Sequence, residues 1–553
     1  MSEFQSVDQM VEACSQLLGK IQSHASQLTE GGKKQDDYQV LTRKLANLAT
    51  RVEAVRELNE FTAIVVDQQS GSNEKARLIN SIFAAEVVRE FANEAEQSFA
   101  DFGLSDEDLA STIDQPAIRQ AVREALKESN YRRVGELTLQ GAENNGWIRA
   151  ESGDGSMEVE SRETTRRFAR DVVAPKAEEI HRQDLLIPEA FIEQMGELGF
   201  FGMSIPAEYG GIGMDNLTMI LVTEELSAAS LPAAGSLITR PEVLAKALLA
   251  GGTEEQKKQW LEPIAHGKIM VAVSVTEPGV GSDVASVSCR ATETVLNGKK
   301  GYLINGAKAW CTFAGRANVL ALLARTDPDP ASGHRGLSVF VVEKERFDGH
   351  DFETTQAEGG KITGQAIPTV GYRGMHSYVL QYEDYFVPAE NLVGLEAGKG
   401  KGFYYQMNGF SAGRLQTAGR ATGLGQASIE TTARYVQERP QFGKALSEYQ
   451  NTQFELGWMS VQVEAGRQLT YAAARSMDRG DADASLKASM AKLFSCRAAV
   501  NVSQKGQLMH GGWGYGEEYD ISRYVCDALV LPIFEGVEPI LEMKVIGRAL
   551  LAK

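Results

Sequence analysis

The apolar pattern of this chain changes period twice, and that change limits what it can fold into. Val7, Met10, Val11, Cys14, Leu17, Leu18 and Ile21 recur at three- and four-residue steps. Tyr38, Leu41, Leu45, Leu48, Val52, Val55 and Leu58 do the same, as do Leu78, Ile79, Ile82, Phe83, Val87 and Phe91. Each set lays one apolar stripe along a helix. Between about 271 and 395 the rhythm is lost. Segments such as 269–275, 301–305, 319–325 and 337–342 are short, rich in β-branched residues, and separated by Gly, Asn and Asp, which is the signature of strands. After Gly402 the helical rhythm returns and runs to the end. The expected fold class is therefore mainly α with a central β-domain. Its parts are a helical extension over 1–150, a helical domain over 157–270, the β-domain over 271–395 and a C-terminal helical bundle over 400–553.

Punctuation supports this division. Gly31-Gly32 and Ser70-Gly71-Ser72 break the extension into helical hairpins, and the polar run Glu151-Ser152-Gly153-Asp154-Gly155-Ser156 is expected to be a linker. Pro206 and the loop Gly210-Gly211-Ile212-Gly213 interrupt the second helical region. A chain of 553 residues is long for one hydrophobic core and suggests several domains.

Charge narrows the function classes. The 74 acidic residues outnumber the 56 basic ones, for a net charge of −18, which argues against broad nucleic-acid binding and a polybasic membrane surface. No apolar run approaches the roughly 20 residues needed to span a bilayer. Glu3, Asp8 and Glu12 stand where a leader would carry its apolar region, so a cytoplasmic location is expected. Cys14, Cys289, Cys311, Cys496 and Cys526 lack metal or redox spacing, and the seven histidines are scattered, so reduced thiols and no metal are expected.

The chemistry lies in a few short segments. Gly511-Gly512-Trp513-Gly514-Tyr515-Gly516 does not join a strand to a helix in a βαβ unit, so it is not a Rossmann loop. Thr276-Glu277-Pro278-Gly279-Val280-Gly281-Ser282-Asp283 follows the first strand and, alone, is simply a Pro/Gly turn with Ser and Asp to satisfy nearby N–H groups. Trp310-Cys311-Thr312 follows it. Together the two segments resemble the flavin-binding strands of the acyl-CoA dehydrogenase family. Further pieces follow in that family's order: 201–211, Phe386-Val387-Pro388 through Gly394, Glu438-Arg439-Pro440-Gln441-Phe442-Gly443-Lys444, Tyr449-Gln450, His510-Gly511-Gly512-Trp513, Arg523, Asp527 and Phe534-Glu535-Gly536. The resemblance spans 157–553.

That resemblance implies an acyl-CoA dehydrogenase-like fold, with a helical domain, a central β-barrel domain and a C-terminal four-helix bundle, and FAD as cofactor. Thr276, Gly281, Ser282, Trp310 and Thr312 would meet the flavin ring. Arg439, Gln441, Phe442, Gln450, Gln507, Gly511, Gly512 and Gly536 would surround the rest of the cofactor, Arg439 and Phe442 reaching the nucleotide held by a neighbouring subunit. Ser282 and Arg414 would also touch substrate. The α-proton of a thioester is weakly acidic, so a carboxylate must be set against it while the thioester oxygen is polarised. Glu535 matches the family's base. A second subgroup carries its base just before the arginine that is Arg414 here, and that place is Gly413, which has no carboxylate. Two positions depart from the family: Leu508 stands where a Gln is usual, with Gln507 beside it, and Val537 replaces a Thr.

Arg240 takes a place where the family often has a small or neutral polar residue, in a stretch that lines the far end of the acyl pocket. A guanidinium there suits a distal carboxylate, which it can grip with two parallel hydrogen bonds, without identifying the acid. A helical extension in front of this core resembles the family members that act on a short, branched dicarboxylic acyl-CoA, which is the substrate the resemblance implies. Alternatively Arg240 points to solvent or pairs with a structural carboxylate such as Glu242. Electrons are expected to pass to an electron-transfer flavoprotein. An acyl-CoA oxidase, a dehydrogenase for another short-chain or glutaryl-type thioester, and a non-catalytic flavoprotein scaffold are the other readings.

The extension can be laid on the C-terminal bundle at a constant offset of 411. Tyr38-Gln39 falls on Tyr449-Gln450, Leu45 on Leu456, Val52-Glu53-Ala54 on Val463-Glu464-Ala465, Arg56 on Arg467, Phe83 on Phe494 and Gly103 on Gly514. Shared apolar rhythm alone gives part of this match; the polar identities suggest a degenerate duplication. The copy has no counterpart of Glu535. It would cover a face of the bundle that the family uses to join two dimers, leaving a homodimer.

Overall fold

A computed structural model describes residues 3–67, 73–141 and 156–552. The expected turn at Ser70-Gly71-Ser72 and most of the expected linker, Glu151 to Gly155, lie outside them. The chain divides into two compact units, Met1–Ser161 with Thr417–Lys553, and Arg162–Gln416.

In the first unit the extension forms helices Glu3–Leu28, Gln39–Asp67, Asn73–Gln97, Asp106–Ala110, Pro116–Ala125 and Glu128–Gln140. The stripe read from the sequence is its core side: Leu45, Leu48, Val52, Val55 and Leu58 are all buried. Gly31 and Gly32 both take positive φ (67° and 84°), the left-handed backbone that ends the first helix. These helices pack on the C-terminal helices Gln450–Arg479 and Ala484–His510. Phe83 meets Phe494 edge-on at 5.6 Å, and these are the two residues that the 411 offset equates. Lys487 pairs with Glu53 at 2.9 Å and Glu57 at 3.2 Å, and Thr138 and Ser460 share a hydroxyl hydrogen bond of 2.9 Å. Such contacts tie residues more than 300 positions apart into one core.

The second unit begins within the Met157–Phe168 helix and continues through Ala174–Arg182, Glu189–Glu197, Asn216–Ala229, Thr239–Gly251 and Glu254–Ala265. Caps fix two of these starts. The Asp215 carboxylate accepts from Thr218 N at 2.7 Å, and Thr253 and Gln256 form a reciprocal capping box. The sheet follows as β1 Val271–Ser274, β2 Arg290–Leu296, β3 Lys299–Thr312, β4 Val319–Arg325, β5 Leu337–Glu343, β6 Asp351–Thr355, β7 Lys361–Ala366 and β8 Ser377–Pro388. Its order is β1-β4-β2-β3-β8-β7-β6, with β5 on β4, and it curls into a half-barrel. Every residue of β4 is buried, and Val319, Ala321 and Leu323 pack with Leu244, Leu248, Leu261 and Ile264 of the helices.

Two elements differ from the sequence pattern. The segment 301–305 is part of a 14-residue strand, β3, which two irregularities against β8, at Ile304/Gly306 and Lys308/Cys311, hide from a period-two reading. The C-terminal region is not helical throughout. Pro440–Gln441 and Lys444–Ala445 pair as a small hairpin because Phe442 and Gly443 both hold positive φ, 50° and 87°, as a tight two-residue turn requires.

Candidate active site

In the second unit the segment after β1 is held by a carboxylate that sequence reading passed over. Glu277 and Val280 exchange backbone hydrogen bonds of 2.8 and 3.1 Å, closing the Pro278-Gly279 turn. The Glu277 side chain accepts from Ser288 N, Ser288 Oγ, Cys289 N and Lys308 Nζ, the last at 3.0 Å. Lys308, fully buried on β3, also donates to the Val275 carbonyl at 2.8 Å. Burial works against the Glu277 carboxylate, yet the Lys308 charge and the donors of Ser288 and Cys289 hold its pKa below the usual carboxylate value. The turn is thereby stapled to β3, and the Thr276 carbonyl accepts from Ala309 N at 2.8 Å. The signal in the sequence was that Glu277 lies within the Thr276–Asp283 segment and Lys308 two residues before Trp310.

The staple fixes what stands beside it. At the Lys308/Cys311 irregularity Trp310 takes φ 58° and leaves its indole 57% exposed. Gly281 and Ser282 are exposed, and a Cβ added to Gly281 would meet no heavy atom within 4 Å. Thr312 is buried, with its hydroxyl 2.9 Å from that of Ser377. Thr276 is thus held beside Ala309, next to Trp310 on β3, and Gly281 and Ser282 lie exposed beyond the turn, while the Thr312 hydroxyl is engaged locally.

Arg240 lies in the first turn of the Thr239–Gly251 helix and is 7% exposed. The Glu242 carboxylate takes Lys246 at 2.7 Å and the Gln416 amide at 3.1 Å. Arg414, half-buried, sits two residues before Gln416 on the Gly402–Glu438 helix.

In the first unit Arg439, Gln441, Leu508, Gly511 and Gly512 border one open cleft of ≈ 570 Å³. A Cβ on Gly511 or Gly512 would meet nothing within 4 Å, so backbone there is open to a ligand. Gln507 turns away from it, donating to the Gly514 carbonyl at 3.1 Å, and Leu508, 75% exposed, takes the rim. Phe442 stands 95% exposed at its hairpin tip, with Tyr449 Oη donating to the Gln441 carbonyl at 2.7 Å to brace it. Gln450 is exposed at the start of the Gln450–Arg479 helix.

Glu535 occupies a second turn of this unit. It holds φ 54°, and Gly536 holds φ 104°. A non-glycine residue there is strained by roughly 1–3 kcal/mol and persists only when its surroundings hold it. Three contacts do so: Glu538 N donates to the Pro532 carbonyl at 2.9 Å, Lys492 Nζ to the Gly536 carbonyl at 2.5 Å, and the Arg420 guanidinium lies over the Phe534 ring at 4.7 Å. Lys492 and Arg420 are themselves almost wholly buried. Sequence reading named neither. Arg523 and Asp527 lie buried on the Ile521–Ala528 helix.

Three family models match the chain: the acyl-CoA dehydrogenase C-terminal domain over 7–127 and 400–551, the N-terminal domain over 156–268, and the middle domain over 272–385. The (2S)-methylsuccinyl-CoA dehydrogenase of Cereibacter sphaeroides is 37% identical over 523 residues, covering 94% of this chain and 92% of its own. An acyl-CoA dehydrogenase of Bacillus subtilis is 34% identical over 69% of this chain and 95% of its own. Among solved structures, the glutaryl-coenzyme A dehydrogenase glutaryl-CoA complex superposes with a TM-score of 0.65 at 30% identity, over 73% of this chain and 98% of that one. Butyryl-CoA dehydrogenase from Megasphaera elsdenii gives 0.65 at 29% identity, over 72% and 100%. Among the described residues no helix is long and apolar enough to cross a membrane. The chain belongs to the acyl-CoA dehydrogenase family and is an FAD-dependent oxidoreductase acting on acyl-CoA thioesters.

Proposed function

We propose that this enzyme removes hydrogen across the α,β-bond of a short, branched dicarboxylic acyl-CoA, converting (2S)-methylsuccinyl-CoA to mesaconyl-CoA. The observation that carries the substrate choice is the likeness to the Cereibacter sphaeroides enzyme, which runs through the extension as well as the dehydrogenase core. The buried guanidinium of Arg240 agrees with it, because a charge in an acyl pocket disfavours a plain alkyl tail and suits a carboxylate.

Glu535 takes the α-proton. Its strained turn presents the carboxylate on rigid backbone, so little freedom is lost on reaching the substrate. The residues present fit FAD. The exposed indole of Trp310 offers a face for the ring system, and the open backbone at Gly281 offers N–H groups to its polar edge. Arg439, Gln441 and the bare turn at Gly511-Gly512 offer charge and backbone donors to the nucleotide part. Bound FAD supplies the hydride acceptor at N5. An electron-transfer flavoprotein then takes the electrons.

The extension acts as a tethered copy of the C-terminal bundle, so that the working assembly is a homodimer. The C-terminal-domain family model matches both segments, and Phe83 meets its equivalent, Phe494, as residues on a pseudo-twofold axis do. A fully exposed Phe442 is the kind of apolar tip that a second copy covers. The test is a screen of acyl-CoA thioesters for bleaching of the bound flavin, with and without oxygen. Bleaching by methylsuccinyl-CoA without peroxide release is expected. Peroxide in step with turnover would make the enzyme an oxidase, and no bleaching by any thioester would leave the scaffold reading.

A further inference from the structure

Three side chains away from the Thr276–Ser282 turn and Trp310 converge in the second unit. Asp184 follows the Ala174–Arg182 helix, His350 precedes β6, and His376 precedes β8. Each offers one ligand atom, all within 4.8 Å of one another. His350 Nε2 is 3.1 Å from His376 Nε2, Asp184 Oδ1 is 3.2 Å from that same nitrogen, and Asp184 Oδ2 is 4.0 Å from His350 Nε2. Two imidazole nitrogens that close share either one proton or one cation. An ion about 2.1 Å from each donor sets neighbouring ligand atoms roughly 3.0–3.4 Å apart, so two of the three edges already match and the third closes by a small rotation.

The surroundings favour the ion. His376 Nδ1 lies 3.2 Å from the Gly374 carbonyl oxygen, a contact that takes the ring's proton there and leaves Nε2 as a lone pair. Asp184 and His376 both hold positive φ, 54° and 46°, backbone that non-glycine residues seldom adopt. The His376 side chain is 5% exposed, whereas those of His350 and Asp184 are 47% and 41% exposed, so an ion and its waters can enter from their side. Arg373 comes within 3.7 Å of Asp184 Oδ1, but its hydrogen bonds go to the Thr369 and His181 carbonyls, leaving the carboxylate available.

We propose that Asp184, His350 and His376 form a binding site for one divalent transition-metal ion, best fitted by Zn²⁺, which clips the loop after the Ala174–Arg182 helix to the sheet. Two imidazoles and one carboxylate suit a borderline ion, and three protein ligands leave room for water. The sequence hid this set because His376 stands 192 residues from Asp184 and 26 from His350.

The experiment uses the untagged holoenzyme, stripped with EDTA and titrated with ZnCl₂ by calorimetry, with bound metal counted by mass spectrometry after gel filtration. About one Zn²⁺ per chain is expected, together with a rise in Tm of several degrees, because a ligand of the folded state stabilises it by mass action. His350→Gln should weaken binding at least tenfold and abolish the Tm shift while leaving FAD bound. Its half-exposed position makes that variant safe to fold, so it decides the matter even if His376→Gln does not express. Substoichiometric Zn²⁺, or equal binding by His350→Gln, overturns the proposal and leaves a proton shared between the two rings.

Discussion

Gly135 and Gly457 are where the extension and the C-terminal bundle meet backbone to backbone. A Cβ on Gly135 would stand 1.9 Å from the Gln453 carbonyl oxygen, and a Cβ on Gly457 would stand 1.9 Å from that of Tyr131. Each glycine sits inside its helix, Glu128–Gln140 or Gln450–Arg479, where Gly costs about 1 kcal/mol relative to Ala. Close approach of the helices outweighs that cost. Gly457→Ala should therefore destabilise rather than stabilise, by about 1–3 kcal/mol. The check is a lowered urea midpoint with an unchanged m-value; an unchanged or raised midpoint would mean the helices separate freely.

Removing residues 1–150 should do more than lower stability. Leu456, Met459 and Val463 on the Gln450–Arg479 helix are buried in the whole chain, and that helix packs directly against Glu128–Gln140. The truncated protein is expected to aggregate or to form a tetramer, because large bare apolar faces seek partners. A truncated protein that sediments as a well-behaved dimer of unchanged stability would contradict the covering role.

Glu535→Gln should keep the fold and the flavin and lose about 10²–10⁴-fold in dehydrogenation rate, the usual contribution of one positioned base. The amide has the shape of the carboxylate without its basicity. Flavin bleaching under single turnover is the measurement, and a loss smaller than tenfold would remove Glu535 from the role of base.

Glu277→Gln tests the staple beneath the loop. It leaves Lys308 buried beside an amide, which should cost about 3–5 kcal/mol and loosen the Thr276–Ser282 segment, lowering FAD retention on dilution. The folded carboxylate titrates below its unfolded value, so its contribution is present above that value and is lost as pH falls through the folded one. The difference in stability between the unmodified protein and the Glu277→Gln variant should accordingly shrink on acidification below about pH 4.5, the ordinary value for Glu. A gap that stays constant down to acid pH would assign the loss to shape alone.

How much of this was legible in the sequence depends on the range of the interaction. Leu45, Val52 and Leu58 announced their helix because periodicity is local, and Gly31-Gly32 announced the end of the helix before it because only backbone freedom is at stake. Glu535 could be named from its place beside Gly536 within an ordered set of motifs. The Lys492 and Arg420 contacts that hold its turn could not, since they come from other helices of the bundle and look like surface charges in a string. Glu277–Lys308 and Asp184–His350–His376 were hidden for the same reason: each is assembled by strand pairing and loop packing, not by spacing along the chain. Phe442 was expected to reach outward from its motif, but the hairpin that carries it was not legible, because it depends on the positive φ of Phe442 and Gly443.

Arg240 separates substrate choice from chemistry. The residue is almost wholly buried in the first turn of the Thr239–Gly251 helix. Arg240→Met keeps the length and apolar stem and removes the charge and the five donors. If the guanidinium grips the distal carboxylate, this change removes a charge-assisted bidentate contact worth about 1.5–3 kcal/mol, a factor of roughly 10–150 in relative kcat/KM. The unmodified enzyme should use a branched C4 dicarboxylic thioester in preference to butyryl-CoA, and the variant should flatten or reverse that preference while Glu535 still removes the proton from either. Glutaryl-CoA, with its carboxylate one methylene further on, should fall between the two in the unmodified enzyme and lose its advantage over butyryl-CoA in the variant. The measurement is the ratio of kcat/KM values with all three substrates. Equal use of dicarboxylic and plain thioesters by the unmodified enzyme would return Arg240 to a structural role, and it would do so without touching the assignment of the base.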